Sequence, residues 1–95
     1  MNYRLTPEAE QDLRDIWSYT RTTWGLKQAN NYLEQLKTCF MRLCEHPELG
    51  RSRDEVREGY RSIPQKQHVV FYRYHEQQIE VVRVLHRRME IDGKF

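Results

Sequence analysis

The chain has 95 residues, a net charge of +2 and a pI of 8.6, which limits it to one domain with one hydrophobic core. The charge is too small to indicate a nucleic-acid partner, although residues 51–95 carry ten Lys or Arg against seven Asp or Glu. No apolar run approaches the ~20 residues of a membrane span, and no apolar leader is present. We therefore expect an intracellular protein that does not enter a membrane.

The first predicted elements are a short extended segment, Tyr3 to Leu5, and a helix that follows it. Thr6 is a typical N-cap, Pro7 suits the first helical turn, and the acidic residues after it favour the positive end of the helix dipole. Gly25 predicts a left-handed C-cap. The helix carries a stripe at helical spacing that is apolar except at Thr20: Ala9, Leu13, Ile16, Trp17, Thr20 and Trp24.

A second stripe predicts another amphipathic helix directly after Gly25. This helix ends at His46-Pro47, because the residue before a proline is disfavoured in the α region. Two helices joined around one glycine form an antiparallel hairpin, and each has one apolar face to cover. The members of the second stripe are Ala29, Tyr32, Leu33, Leu36, Phe40 and Leu43.

The two cysteines lie on the second predicted helix. Cys39 and Cys44 are five positions apart and point to different sides, so a disulfide between them is not favoured. Cys44 and His46 give too few ligands for a metal site. We interpret both cysteines as packing residues in a reducing compartment, and we expect neither a metal nor a cofactor.

The second half of the chain changes to a period of two, which is typical of strands. After a turn-like segment at Pro47 to Ser52, a strand with an irregular start is predicted from Arg57 to Ile63. His68 to Tyr74 and Ile79 to His86 predict two further strands, joined by a polar turn.

The predicted order is β-α-α-β-β-β, an α+β fold in a single domain. A helical hairpin packs on one face of a small, mostly antiparallel sheet. No helix remains for the other face, so we expect that face to be open to water or to a partner.

Arginines are concentrated near the predicted last strand. We place Val82 and Val84 in the core and expect Arg83 to look out from the open face, because burying an unpaired arginine is costly. Guanidinium groups that converge at one end of the sheet could bind phosphates or a carboxylate-rich peptide. For any single arginine, ordinary solubilising charge is the simpler interpretation. The group is Arg61, Arg73, Arg83, Arg87 and Arg88, with His68 and His86.

His86 allows two interpretations. It could act as a general acid or base, or it could cap the strand end by bonding a backbone carbonyl. No Ser, Cys or carboxylate stands in an obvious relay with it. The aromatic residues Trp17 and Trp24 lie at helical spacing and indicate core or partner-facing positions rather than a platform for stacking bases.

With these residues considered, the chain resembles the ParE toxins of bacterial type II toxin–antitoxin systems, within the RelE/ParE superfamily. The most specific segment is the last, since H-x-R-M-[DE] after an R-V-L strand is close to a ParE signature. The matching segments are "LTPEAEQDLRDIWSYTRTTWG", "QANNYLEQLKTCFMRL", "HPELGR", "GYRSIPQKQHVVFYR" and "IEVVRVLHRRME".

The resemblance implies a cytoplasmic bacterial toxin that inhibits DNA gyrase without being an enzyme. It also implies neutralisation by a ParD-type antitoxin that contacts the helical hairpin and the sheet. No sequence-specific binding of nucleic acid is expected. The predicted partner-binding residues are Arg61, Arg73, Arg83, His86, Arg87, Arg88, Met89, Glu90, Trp17 and Trp24.

Two alternatives remain open. The RelE branch of the superfamily cuts mRNA on the ribosome, and Arg61, Arg83 and His86 lie near its catalytic positions. No lysine pair precedes Arg61 and no tyrosine follows His86, so a base for phosphodiester cleavage is missing. The other alternative is a relic that has lost toxicity and keeps only its antitoxin.

Overall fold

Two helices and five strands make up the computed structural model, which describes residues 2–89, 91 and 93–95. The predicted α+β architecture is confirmed, with one short strand, β2, that the sequence pattern did not predict. In chain order the elements are β1 (Tyr3–Leu5), α1 (Pro7–Trp24), α2 (Leu26–Glu45), β2 (Arg51–Ser52), β3 (Arg61–Gln65), β4 (His68–His75) and β5 (Gln78–His86).

Local signals define both ends of α1. The Thr6 hydroxyl accepts a hydrogen bond from the backbone N–H of Ala9 at 3.0 Å, as expected of an N-cap. Gly25 ends the helix, but its φ of 99° and ψ of 168° are not those of the predicted left-handed cap. A single residue separates α1 from α2, so the chain must reverse there, and this combination of angles is almost confined to glycine.

The strand order is β1-β5-β4-β3-β2, with β1 parallel to β5 and every other pairing antiparallel. The strand that was predicted to begin at Arg57 begins only at Arg61, as β3, so the predicted start was wrong. The segment before Arg61 forms a turn, in which the N–H of Tyr60 donates to the carbonyl of Arg57 at 3.0 Å. β2 is only two residues long, and such a short strand leaves no alternating pattern in the sequence.

The helices cover one face of the sheet. Leu36, Phe40 and Leu43 of α2 are fully buried there, and the sheet contributes Val70 and Tyr72. Cys39 and Cys44 belong to the same core cluster, which confirms their role in packing.

A β-bulge changes the expected alternation in β5. Phe71 pairs with Arg83 and Tyr72 pairs with Val81, so Val82 has no partner on β4. Val81 and Val84 therefore both lie in the core cluster beneath the helices. The prediction that Val82 and Val84 are core residues is confirmed, since both are buried; Val84 lies in the cluster beneath the helices and Val82 lies outside that cluster.

The second face of the sheet is not open, contrary to the prediction. Phe71 and Leu85 are each only 2% exposed. The ring of Phe95 lies 4.9 Å from that of Phe71, and the guanidinium of Arg53 lies 5.0 Å from the same ring. The loop before β3 and the C-terminal tail therefore cover the centre of this face, because large apolar side chains gain free energy when water is excluded from them.

Among the residues described, none of the helices has the length and apolar character needed to cross a bilayer. Within the same residues, His, Cys, Asp and Glu form no group of three or more that could hold a metal ion.

Candidate partner-binding surfaces

Arg83 is partly buried, and partners within the chain engage its guanidinium. Its Nε and Nη2 donate to the two carboxylate oxygens of Asp12 on α1, each at 2.8 Å, and its Nη1 donates to the carbonyl of Lys94 at 2.9 Å. The bonds to Asp12 raise the pKa of Arg83 above its ordinary value. The expectation that Arg83 looks out from an open face was wrong, because a carboxylate 71 positions away supplies the missing partner.

Asp12 also covers the edge of β5 in the part of that strand that does not pair with β1. Its Oδ2 accepts a hydrogen bond from the N–H of Val84 at 2.9 Å. Thr6 extends the same closure, since its hydroxyl donates to the carbonyl of Val82 at 2.8 Å and its N–H donates to that of Val81 at 3.1 Å. The first part of α1 therefore takes the place of a neighbouring strand.

Arg61 holds the segment that leads into β2. Its Nη1 donates to the carbonyl of Gly50 at 2.6 Å. On the same segment, the hydroxyl of Tyr72 accepts from the N–H of Gly50 at 2.8 Å and donates to the carbonyl of Pro47 at 2.7 Å. Arg61 thus stabilises the fold, and its side chain is only partly exposed.

Arg73 belongs to an ion-pair network across three strands. Its Nε lies 2.7 Å from Glu80 on β5, and Arg4 of β1 approaches the other oxygen of Glu80 at 2.6 Å. Although burial opposes the charge on Glu80, these two hydrogen-bond donors hold the pKa of its carboxyl below the ordinary value. This network joins β1, β5 and β4.

His86 caps the end of β5, but with a partner different from the one predicted. Its Nδ1 accepts a hydrogen bond from the backbone N–H of Arg88 at 3.1 Å, whereas a backbone carbonyl was expected. Its ring meets that of His68 edge-on, with the ring centres 5.6 Å apart. These contacts favour the structural interpretation of His86.

His68 occupies a more enclosed environment beside it. The Nδ1 of His68 lies 2.7 Å from the hydroxyl of Tyr32, which also bonds the carbonyl of Gln65 at 2.9 Å. Burial, followed by the nearby His86, lowers the pKa of His68 to about 4. His68 is therefore neutral near neutral pH and adds no charge to the arginine group.

The predicted arginine group does not converge at one place. The carbonyl of Gly50 engages Arg61, Glu80 engages Arg73 and Asp12 engages Arg83, and each partner lies in a different part of the fold.

The segment after β5 keeps more exposed side chains. Arg87 donates to the carbonyl of Lys66 at 3.2 Å, while Arg88 and Met89 are exposed, Met89 to 50%. Glu90, also predicted to bind a partner, lies outside the described residues.

The two tryptophans occupy different environments. The Nε1 of Trp17 donates to the side-chain oxygen of Asn30 at 3.0 Å, and Arg21 stacks on its ring at 5.6 Å. Trp24, at the tip of the hairpin, is 71% exposed. Both lie on α1, but only Trp17 lines the apolar groove where the helical hairpin meets β1.

An apolar groove runs along the hairpin where it meets β1, with a volume of about 650 Å³. Its walls combine side chains from β1, α1 and α2, and charged groups stand at its rim. Such concave apolar surfaces with a charged rim are typical of binding sites for amphipathic segments. The lining residues are Leu5, Glu10, Leu13, Arg14, Trp17, Ser18, Leu33 and Lys37.

Residues 3–91 match the family model described as "ParE toxin of type II toxin-antitoxin system, parDE". The chain belongs to this family. It is a ParE-type toxin of a type II toxin–antitoxin system.

Relatives of the same name cover almost the whole chain. Toxin ParE1 of Mycobacterium tuberculosis is 44% identical over 91 residues, which are 95% of this chain and 93% of the relative. Toxin ParE1 of Caulobacter vibrioides is 41% identical over 87 residues, 92% of this chain and 90% of that one. Toxin ParE of Escherichia coli is 36% identical over 91 residues, 94% and 87% of the two chains.

A solved structure has the same fold. It is titled "Chromosomal ParDE TA system from P. aeruginosa", and its matching chain superposes with a TM-score of 0.78 at 18% sequence identity. The superposition covers 90% of this chain and 95% of that one.

Sequence reasoning missed the groove of this ParE toxin. The sequence analysis assigned three of its lining residues, Leu13, Trp17 and Leu33, to the apolar stripes of the helices. The spacing of a stripe does not indicate how much of its width the sheet covers. All three remain partly exposed.

Proposed function

We propose that this ParE toxin acts by inhibiting DNA gyrase and is neutralised by a ParD-type antitoxin. The observation that carries the proposal is the family membership, which extends over residues 3–91 of the chain. The resemblance of the C-terminal segment to a ParE signature supports the same conclusion.

The geometry supports action by binding rather than by phosphodiester cleavage. Cleavage needs a base, an acid and charge stabilisation around one phosphate. Arg61 pairs with Tyr72 and Arg83 pairs with Phe71, and because these two residues are adjacent on β4, the two arginines lie on opposite faces of the sheet. His86 stands three residues further along β5, about 10 Å from Arg83, and its Nδ1 accepts the N–H of Arg88.

The groove on the hairpin supports an antitoxin that binds as an amphipathic segment. Its apolar wall of Leu13, Trp17 and Leu33 suits a row of aliphatic or aromatic side chains. Lys37 and Arg14 outnumber Glu10 among the charged residues of the lining, which favours acidic residues on the polar side of that segment. Such an antitoxin contacts the hairpin, as the family resemblance implies.

A supercoiling assay with purified gyrase tests the proposal directly. The toxin is expected to inhibit supercoiling in a dose-dependent manner, and an equimolar amount of the cognate antitoxin is expected to restore it. A parallel translation reaction with ribosomes and a defined mRNA serves as the comparison. We expect the mRNA to remain intact.

Two results would contradict the proposal. Cleavage of the mRNA, abolished by His86→Ala with antitoxin binding retained, would establish the ribonuclease alternative instead. Normal growth after induced expression, together with full gyrase activity at high toxin excess, would identify a relic that only binds its antitoxin.

A further inference from the structure

The far face of the sheet, away from the helices, carries a site that the chain's own C-terminal tail occupies. We infer that this is an exchangeable docking site for an aromatic residue of a partner polypeptide, and that Phe95 is its resident ligand. The tail site is defined as Tyr60, Phe71, Arg53 and Arg83. This inference does not depend on gyrase inhibition.

The side chain of Phe95 is received by two aromatic rings. It meets Phe71 at 4.9 Å and Tyr60 at 5.6 Å between ring centres, with interplanar angles of 64° and 67°. Both are edge-to-face contacts, the favourable arrangement for aromatic pairs. Arg53 stacks at 5.0 Å from the ring of Phe71, while its Nε pairs with Glu55 at 2.7 Å.

The backbone before Phe95 is recognised as well. The Nη1 of Arg83 donates to the carbonyl of Lys94 at 2.9 Å. Because Asp12 accepts from the other two nitrogens of the same planar guanidinium, the group is held with its Nη1 towards the tail. The site is therefore pre-organised for an aromatic side chain whose preceding residue offers a carbonyl.

The tail is attached in a way that allows exchange. β5 ends at His86, so residues 91 and 93–95 are not part of the sheet. Gly93 has a φ of 79°, none of the described residues lies within 4 Å of the position that a Cβ would take there, and Lys94 is exposed. Phe95 itself is half-buried. Among the described residues, the ring of Phe95 and the hydrogen bond from Arg83 to the carbonyl of Lys94 join the end of the tail to the sheet, and Ile91 is half-buried. A partner segment can supply a ring and a carbonyl of the same kind.

The contacts also define the chemistry of the partner. The segment needs a Phe or a similar aromatic residue, and a preceding residue in a turn or extended conformation that exposes its carbonyl. The exposed Arg57, 5.9 Å from the ring of Tyr60, favours an acidic neighbour in that segment, whereas Arg53 is already paired with Glu55 at 2.7 Å.

A binding experiment in trans tests the inference with the chain's own ligand as the probe. A fluorescent peptide of residues 90–95, EIDGKF, is titrated with a chain that ends at Met89. Saturable binding is expected, with a Kd on the order of 100 µM for a contact of this size. A peptide with Phe95→Ala is expected to bind at least about tenfold more weakly, since most of the contact is the ring.

The full-length chain provides the matched control. Its own tail competes at a high effective concentration, so the peptide is expected to bind it at least about tenfold more weakly than the shortened chain. A full-length chain with Phe95→Ala keeps the backbone of the tail but leaves the aromatic position vacant, and it is expected to regain peptide binding. This second variant also tests the inference if the shortened chain fails to fold.

Three outcomes would overturn the inference. The first is no binding of the peptide, at millimolar concentration, to either variant that circular dichroism shows to be folded. The second is equal binding of the peptide and its Phe95→Ala form. The third is a concentration-dependent dimer of the full-length chain that Phe95→Ala abolishes, since the site would then belong to a second copy.

Discussion

At the scale of single residues, charged side chains in this fold are placed by partners that lie far away in the sequence. Arg83 was expected to be exposed because burying an arginine without a partner is costly. Asp12 satisfies it from the first helix and also accepts the N–H of Val84. A charge that appears unpaired in a sequence is therefore weak evidence for a partner-binding role, because tertiary contacts decide whether it is paired.

His68 gives a prediction for the pH dependence of stability. Burial and His86 lower the pKa of His68 to about 4 in the folded chain, below its ordinary value of 6.5. The unfolded chain thus binds more protons between these two pH values, and the free energy of unfolding falls as the pH decreases from 6.5 to 4. Tyr32 beside it stays neutral there, because burial raises the pKa of Tyr32 to about 12.

Because His68 is only partly buried, we expect its contribution to this loss to be about 1–2 kcal/mol. Urea denaturation at pH 7 and at pH 4 measures it. His68→Gln is expected to flatten this part of the pH profile, whereas the exposed His46→Gln serves as the control and should leave it unchanged. Equal pH profiles for His68→Gln and the original chain would contradict the assignment.

At the scale of elements, the connection from α2 to β3 depends on a close approach at Gly50. A Cβ at this position would lie 2.7 Å from both Cε1 and the hydroxyl of Tyr72, and 2.8 Å from the carbonyl of Ser62. The backbone at Gly50 does not need a positive φ. The glycine is therefore required because its neighbours leave no room for a side chain.

Gly50→Ala is expected to destabilise the fold by about 2–3 kcal/mol, because the ring of Tyr72 must move and its bonds to Gly50 and Pro47 weaken. Thermal or urea unfolding checks the value. Ser52→Ala, an exposed position in the neighbouring β2, is the matched control and should change stability by less than about 0.5 kcal/mol. A loss at Gly50 no larger than that at Ser52 would show that the connection can relax.

At the scale of elements, much of the fold was predictable from the sequence. Thr6, Pro7 and the helical stripe located the start of α1, and the alternating residues of β4 and β5 located the central hairpin, because these signals are local. The bulge at Val82 and the two-residue β2 were not predictable. Both depend on which strands become neighbours, and neither leaves a pattern within its own segment.

At the scale of the whole molecule, the groove on the hairpin gives a prediction for antitoxin binding. Lys37→Glu reverses the charge at the rim of the groove, and we expect it to weaken binding of a ParD-type antitoxin at least about tenfold. Lys27→Glu, on the same helix but not lining the groove, is the matched control, with an expected change below about twofold. Isothermal titration calorimetry measures both affinities.

Similar losses for the two variants would mean that the antitoxin responds to the overall charge rather than to the groove. No loss for either would place the antitoxin elsewhere on the toxin. Because both substitutions change the net charge equally and both lysines are exposed, their difference reports the contribution of the groove itself.

By itself, the sequence determined the class of this protein: the order of its helices and of every strand except β2, the hairpin against a mostly antiparallel sheet, and the likeness to ParE toxins. These features follow from short-range patterns and from motifs that can be read along the chain. Only the tertiary structure decided that Phe95 covers the far face, that Asp12 holds Arg83, and that the groove stays open. Those contacts join residues far apart in sequence, and their formation depends on which segments the folded chain brings together.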